Sequence, residues 1–132
     1  MTRARVFFLV VIVSGATSCG LFEDSTHRDA SSLFDATKIN RAYSVAAKER
    51  TAAGYRYTIA LFDGKPLAPV DVTAPPGFTL DDRAVTSHDV TSLGQYSGVY
   101  PADSQQHCSL SIERFTENAK PVSQVVSICD GA

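Results

Sequence analysis

The sequence has little positive charge and no cluster of it. Its 132 residues include 12 Lys and Arg against 14 Asp and Glu, for a formal net charge of −2. A nucleic-acid-binding domain usually carries a clustered basic face, and a polybasic attachment to anionic lipid needs one as well. The charge balance therefore argues against both, and we predict no nucleic-acid partner.

The sequence also lacks the common motifs of catalysis. It contains no Gly-x-Ser-x-Gly elbow and no glycine-rich phosphate loop. Two widely separated cysteines, Cys108 and Cys129, do not form a Cys-x-x-Cys redox motif. We therefore expect a protein that is not an enzyme. The alternative is a small hydrolase, secreted or anchored, whose catalytic residues are dispersed along the chain.

Metal ligands are sparse. The three histidines are His27, His88 and His107, and no two of them have a spacing that places them on one helical face. The only acidic cluster with a histidine consists of Asp81, Asp82, His88 and Asp89. A solvated loop explains this cluster more simply than a metal site does. We expect no metal and no cofactor.

The chain has only one long apolar run, and it lies at the N-terminus. Arg3 and Arg5 precede the apolar residues 6–13, and the small residues 14–18 follow. A basic end, a short apolar stretch and a small-residue cleavage region are the three parts of a secretory signal. The run is shorter than the ~20 residues that a membrane-spanning helix requires. We predict that residues 1–18 form a signal peptide.

The residues "GATSC" that end at Cys19 resemble the lipobox of bacterial lipoproteins. The resemblance covers residues 1–19 and does not extend to the rest of the chain. It implies that the Cys19 thiol receives a diacylglyceryl group and that a peptidase cuts before this residue. The protein would then be held by lipid on the outer side of a membrane of the cell envelope. The alternative is ordinary cleavage after Ser18, which would give a secreted protein.

The cysteine count agrees with the lipoprotein reading. An odd number of cysteines in an exported chain needs an explanation, and this chain has three. Lipid on Cys19 leaves Cys108 and Cys129 as a pair for an oxidising compartment. A disulfide between these two is therefore predicted.

The rest of the chain is long enough for one domain. Residues 19–32 are polar and acidic, and we interpret them as the lipidated cysteine followed by a flexible tether. Residues 33–132 are expected to form a single small α+β domain. In residues 35–54 apolar side chains recur at helical spacing between Asp35 and Gly54, so we predict a helix there.

The middle of the chain indicates one strand and little else. Residues 55–62 alternate in the pattern of a strand, and Asp63-Gly64 follows as a turn. The four prolines in residues 66–76 limit that segment to at most an edge strand and extended coil. A short helix is expected in residues 87–93.

The C-terminal third predicts a β-hairpin. Two β-prone stretches, "CSLSIERF" and "VSQVVSIC", flank a polar segment. A turn at Asn118 and Ala119 produces three cross-strand pairs: Cys108 with Cys129, Leu110 with Ser127, and Ile112 with Val125. A longer turn would shift this register.

Four tyrosines are candidates for a binding surface. Tyr55 and Tyr57 share one face of the predicted strand, and Tyr96 and Tyr100 flank a glycine-containing segment. Tyrosine offers a large contact area with few rotamers to freeze, which suits recognition. The alternative is that Tyr55 and Tyr57 bury their rings against the helix.

These observations predict an α+β domain in which an N-terminal helix packs on a small antiparallel sheet with a disulfide-linked C-terminal hairpin. The expected function is that of a cell-envelope lipoprotein that binds a protein or cell-wall partner, in an inhibitory, immunity or accessory role. The sequence does not identify that partner.

Overall fold

The computed structural model describes residues 23–130, which form one helix and a mostly antiparallel sheet. The predicted signal peptide and Cys19 lie outside the described residues. The helix is α1 (Ser25–Ala36). The strands are β1 (Lys38–Ile39), β2 (Tyr43–Arg50), β3 (Gly54–Leu61), β4 (Val72–Thr73), β5 (Thr79–Asp81), β6 (Val85–Ser87), β7 (Val90–Val99), β8 (His107–Glu117) and β9 (Lys120–Cys129).

Seven of these strands form one antiparallel sheet in the order β2-β3-β9-β8-β7-β5, with β6 also paired to β7. The two short strands β1 and β4 pair separately with each other. Within the described residues no helix is long and apolar enough to span a bilayer.

The C-terminal hairpin has the predicted register. Cys108 pairs with Cys129, Leu110 with Ser127, and Ile112 with Val125. The disulfide between Cys108 and Cys129 is formed. Closing a loop of this length contributes about 3 kcal/mol in the chain-entropy description.

The turn of this hairpin consists of the two residues Asn118 and Ala119, both with positive φ, at 53° and 66°. Positive φ at both central residues is the type I′ conformation, whose twist matches that of the flanking strands. Alanine is a poor residue for this conformation because its Cβ crowds the backbone. The register therefore depends more on the long paired strands and the disulfide than on favourable turn chemistry.

The helix prediction for residues 35–54 is wrong. Its longest element is β2, which pairs with β3 from Tyr43 opposite Leu61 to Arg50 opposite Tyr55. The alanines, Lys48 and Glu49 favour a helix locally. The neighbouring β3 pairs with seven residues of β2 across a short turn, with one register shift between Val45 and Ala47, and this pairing overrides the local preference.

The prediction of a flexible tether is wrong for residues 25–32, because they belong to α1. Asp24 caps the helix by accepting a hydrogen bond of 2.8 Å from the backbone N–H of His27. His27, Ala30, Leu33 and Phe34 are buried, at the spacing of one helical face. Polar residues fill the other positions, which is why the segment resembles a solvated linker in sequence.

The helix expected in residues 87–93 is also absent, and the stretch forms a second hairpin. Ser87 ends β6, Val90 begins β7, and these two residues pair. His88 has a φ of 57° in the turn between them. The proline-rich segment contributes only a 3₁₀ turn (Pro69–Asp71) and the short β4, as its prolines predict.

The core lies on one side of the sheet, which we call the core face. α1 crosses this face over β3 and β9. The Phe34 and Tyr57 rings stack with centroids 3.7 Å apart, and the buried Ser127 hydroxyl donates to the carbonyl oxygen of Ala30 at 2.7 Å. Leu67 of the proline-rich segment is completely buried against the same core.

The start of β3 approaches the end of β9 so closely that one position requires glycine. Gly54 pairs with Ile128, and a Cβ at Gly54 would overlap the carbonyl oxygen of Ser127. No other residue fits there without moving one of the two strands.

We predict that Leu33→Ala lowers the free energy of unfolding by about 2–5 kcal/mol, because the side chain is completely buried and leaves a cavity. Asp35→Ala is the control, since Asp35 is exposed on the same helix and its loss should change stability by less than about 0.5 kcal/mol. Denaturant unfolding measures both. Equal, small effects of the two substitutions would show that α1 is not part of the core.

Candidate functional site

The predicted tyrosine surface is not an exposed surface in this fold. Tyr55 and Tyr57 project from β3 into the core and are 9% and 3% exposed. The ring of Tyr57 stacks on Phe34, and the hydroxyl of Tyr55 donates to the carboxylate of Glu23. The alternative is right that these two rings are buried beneath a helix, but the helix is α1 and not the one predicted in residues 35–54.

Tyr96 and Tyr100 also serve internal contacts. The Tyr96 hydroxyl lies 2.9 Å from the carbonyl oxygens of both Pro69 and Val72. The Tyr100 hydroxyl and the Ser32 hydroxyl form a hydrogen bond of 2.7 Å. These two tyrosines therefore connect the sheet to the proline-rich segment and to α1, and all four lie on the core face.

The three histidines lie in separate elements of the fold. His27 is buried, with its ring nitrogens 2.8 Å from the Asp24 carboxylate and 2.8 Å from the Thr51 carbonyl oxygen. His88 lies in the β6–β7 turn, and His107 begins β8. Between Glu23 and Asp130 no group of three or more His, Cys, Asp or Glu side chains is placed to hold a metal ion.

One member of the acidic cluster around His88, Asp81, forms an ion pair with Arg83. The Arg83 guanidinium donates to both carboxylate oxygens of Asp81, at 3.0 and 2.7 Å. These hydrogen bonds lower the pKa of Asp81 to about 2. Asp81 is therefore a permanent anion paired with its own neighbour, in the exposed β5–β6 connection.

The other side of the sheet carries the candidate site, and we call it the open face. Side chains alternate along a strand, so the neighbours of the core residues in β3, β9, β8 and β7 point to this side. In the central strands they are mostly small or uncharged: Thr58, Gln95, Ser97, Ser109, Ser111 and Gln124. α1 and the buried Leu67 both pack on the opposite side.

The open face is hollowed rather than flat. Three shallow depressions follow β8 from its start toward its end, with volumes of about 250, 270 and 350 Å³. Ser109 lines the first, Ser111 the second and Phe115 the third. Gln95 lines both the first and the second, so these two are continuous.

Hydrogen bonds between side chains organise this surface. Gln124 is only 4% exposed, and its amide donates to the Glu113 carboxylate at 2.7 Å. The Ser111 hydroxyl donates to the Gln95 amide oxygen at 3.3 Å, and the Gln95 amide nitrogen donates to the Ser97 hydroxyl at 3.4 Å. The second and third hollows therefore meet at a fixed Gln124–Glu113 pair.

Each of the two arginines at the open face is paired with a neighbouring carboxylate. The Arg56 guanidinium lies 3.3 Å from the Glu49 carboxylate at the edge of the third hollow. Arg83 pairs with Asp81 at the wall of the second hollow. An exposed pair of this kind contributes little to stability. Glu113 and Asp130 also line the hollows, and neither forms an ion pair within the described residues, so the surface carries a small net negative charge.

The first hollow brings a histidine, an acid and serines to one place. His107, Asp130, Ser97 and Ser109 all line it. His107 and Asp130 are joined through the backbone, where the Asp130 N–H donates to the His107 carbonyl oxygen at 3.0 Å. Among the described residues their side chains form neither a hydrogen bond nor an ion pair. This differs from the connected nucleophile, base and orienting acid of a serine hydrolase.

The sequence contained a weak signal for the open face. Serines alternate with buried residues in "CSLSIE", where an ordinary solvent-facing strand often carries Lys or Glu. The curvature that turns these positions into hollows depends on the pairing of all the central strands, which no local pattern specifies.

No family model, no curated protein and no solved structure matches this chain.

Burial and, to a smaller extent, the hydrogen bond to the Glu23 carboxylate together raise the pKa of the Tyr55 hydroxyl to about 12. The unfolded chain would ionise Tyr55 near pH 10, so the folded protein binds the proton more tightly. We therefore predict that stability falls as the pH rises from about 10 to about 12.

This prediction is measured by tyrosinate absorbance together with denaturant unfolding across that range. Tyr55→Phe should remove the step near pH 12, and Glu23→Gln should move it to lower pH. If the titration curve is the same with Tyr55→Phe, the Tyr55 hydroxyl is not the group that ionises there.

Proposed function

We propose that this chain is an exported lipoprotein of the cell envelope, without enzymatic activity, whose domain binds another envelope or extracellular macromolecule through the open face. The single observation that supports binding is the sheet side opposite α1, which is hollowed along β8 and lined by half-buried polar side chains. The support for export and lipidation comes from residues 1–19 of the sequence.

The fold limits how far the domain would stand from its lipid. Three residues lie between Cys19 and Glu23, so these two are at most about 14 Å apart even in a fully extended chain. Glu23 accepts from Tyr55, and His27 contacts the Thr51 carbonyl in the β2–β3 turn. The end of the sheet that holds this turn would thus lie next to the membrane.

This placement leaves the open face accessible. β8 begins at His107, near the anchored end, and continues to Glu117 at the far end. The three hollows would then form a track leading away from the membrane. A partner in the envelope could reach this track from the side without displacing α1, as an inhibitory, immunity or accessory protein requires.

The anchor is tested by Cys19→Ala in the host of the protein. We expect this substitution to release the domain from the membrane fraction or to stall processing of the precursor. The matched control is Cys108→Ser, which removes another cysteine and should leave the protein on the membrane. The readout is cell fractionation followed by intact mass. Processed Cys19→Ala protein that still remains on the membrane would contradict the proposal.

The binding surface is tested by photocrosslinking in intact cells. A photoreactive amino acid in place of Gln95 should give an adduct of higher mass, because Gln95 is exposed between the first two hollows. The same amino acid in place of Gln105, an exposed loop residue outside the hollows, is the control. Absence of an adduct at position 95, or equal adducts at both positions, would count against the open face.

A further inference from the structure

We infer that the ligand of the open face is a neutral, hydroxyl-rich polysaccharide strand. This inference rests on the proposed function, because it names the partner class for the same surface. It is carried by three properties of the open face: its charge, its hydrogen-bonding groups and its shape.

The charge of the surface argues against a polyanionic ligand. A nucleic acid or other polyanion is bound through several unpaired Lys or Arg side chains. The arginines at the hollows are Arg56 and Arg83, and each already lies against a carboxylate, Glu49 at 3.3 Å and Asp81 at 2.7 Å. Neither arginine is free to neutralise a polyanion without breaking its present pair.

The hydrogen-bonding groups match sugar hydroxyls. A sugar hydroxyl both donates and accepts, and it is best met by groups with the same double capacity. Serine hydroxyls and glutamine amides each have both. Ser97, Ser109 and Ser111 supply the hydroxyls along two adjacent strands, and the exposed Gln95 supplies an amide.

Two glutamine side chains of the open face are held in place before any ligand binds. Gln124 is nearly buried and held by Glu113, and Gln95 is bonded on one side by Ser111 and on the other by Ser97. A preorganised polar surface loses less side-chain entropy when it binds. This is an advantage for a ligand that offers many weak hydrogen bonds and no large apolar anchor.

The composition is less suited to a protein partner. Protein interfaces are enriched in Tyr, Trp, Phe, Met and Arg at their centres, and serine is depleted there. The four tyrosines that the sequence offered are all on the core face. The apolar side chains that line the hollows include Ile128 at 37% exposed, Val85 at 61% exposed, and Val90 and Phe115 at the third hollow. Such a patch suits the C–H groups of a sugar ring.

The shape suits an extended polymer. The hollows follow β8 from His107 to Phe115, a length of roughly 26 Å at about 3.3 Å per residue. A shallow track of this length can hold several consecutive units of a linear chain, whereas a small molecule would need a deeper, more enclosed pocket.

The experiment is affinity electrophoresis of the full, processed chain from its own host in detergent. The probe in the gel is the neutral polysaccharide fraction of that host's cell wall, freed of protein and of phosphate-bearing polymers. Heparin is the polyanionic comparison. We expect retardation by the neutral fraction that increases with its concentration, and none by heparin.

Variants assign the binding to the open face. Gln95→Ala should weaken retardation about fivefold, and Gln95→Ala combined with Ser111→Ala about twentyfold or more, as loss of one and then two hydrogen bonds implies. Gln105→Ala is the matched control and should bind like the unaltered chain. Thermal unfolding verifies that each variant is folded. If the double variant does not fold, the single exposed Gln95→Ala decides.

Each outcome has one meaning. Retardation by the neutral fraction that Gln95→Ala weakens supports the inference. Retardation by heparin alone, no retardation at all, or retardation that Gln95→Ala leaves unchanged overturns it. The crosslink at position 95 then separates the two proposals. A polypeptide in the adduct would retain the proposed binding function with a different partner, and no adduct would remove both.

Discussion

The β8–β9 hairpin is the element on which the rest of the sheet depends. β9 pairs with β3, which in turn holds β2, and β8 pairs with β7, which holds β5 and β6. The hairpin register is fixed at its open end by the disulfide between Cys108 and Cys129. A slip of β8 by one residue against β9 would exchange the two faces of β8. Leu110 and Ile112 would then face solvent, and the serines between them would face α1.

The same alternation produces both the core and the candidate site. Ser127 and Ser123 are polar exceptions on the core face, and both are satisfied, because Ser127 donates to the Ala30 carbonyl oxygen and Ser123 accepts from the Leu67 N–H. Gln124 is the corresponding exception on the open face, where it is nearly buried without a covering element and is satisfied by Glu113. Its neighbours explain this burial, because Gln124 lies between Thr58 of β3 and Glu113 of β8, with Phe115 beside it at the third hollow.

The elements that could be predicted from the sequence are those with a strong local pattern. β3 alternates cleanly, and the β8–β9 hairpin combines alternation with two cysteines. β2 and α1 could not be predicted because their local signals point elsewhere. Ala46, Ala47 and Lys48 favour a helix, yet β2 pairs with β3. The buried residues of α1 include His27 and Ala30, which do not resemble a core. The sequence predicts a binding surface at the tyrosines, but their place on the core face depends on where α1 lies.

The helix in place of the predicted tether changes the expected position of the domain at the membrane more than any other difference between the prediction and the structure. A flexible tether of residues 19–32 would have let the domain move freely at some distance from the membrane. With the helix capped at Asp24 and bonded through His27 to the β2–β3 turn, only the residues before Glu23 can serve as a spacer. If Cys19 carries lipid, the domain must then approach the membrane with one particular end. A ligand that extends outward along β8 suits this orientation, because the track begins at the anchored end and points away from the bilayer.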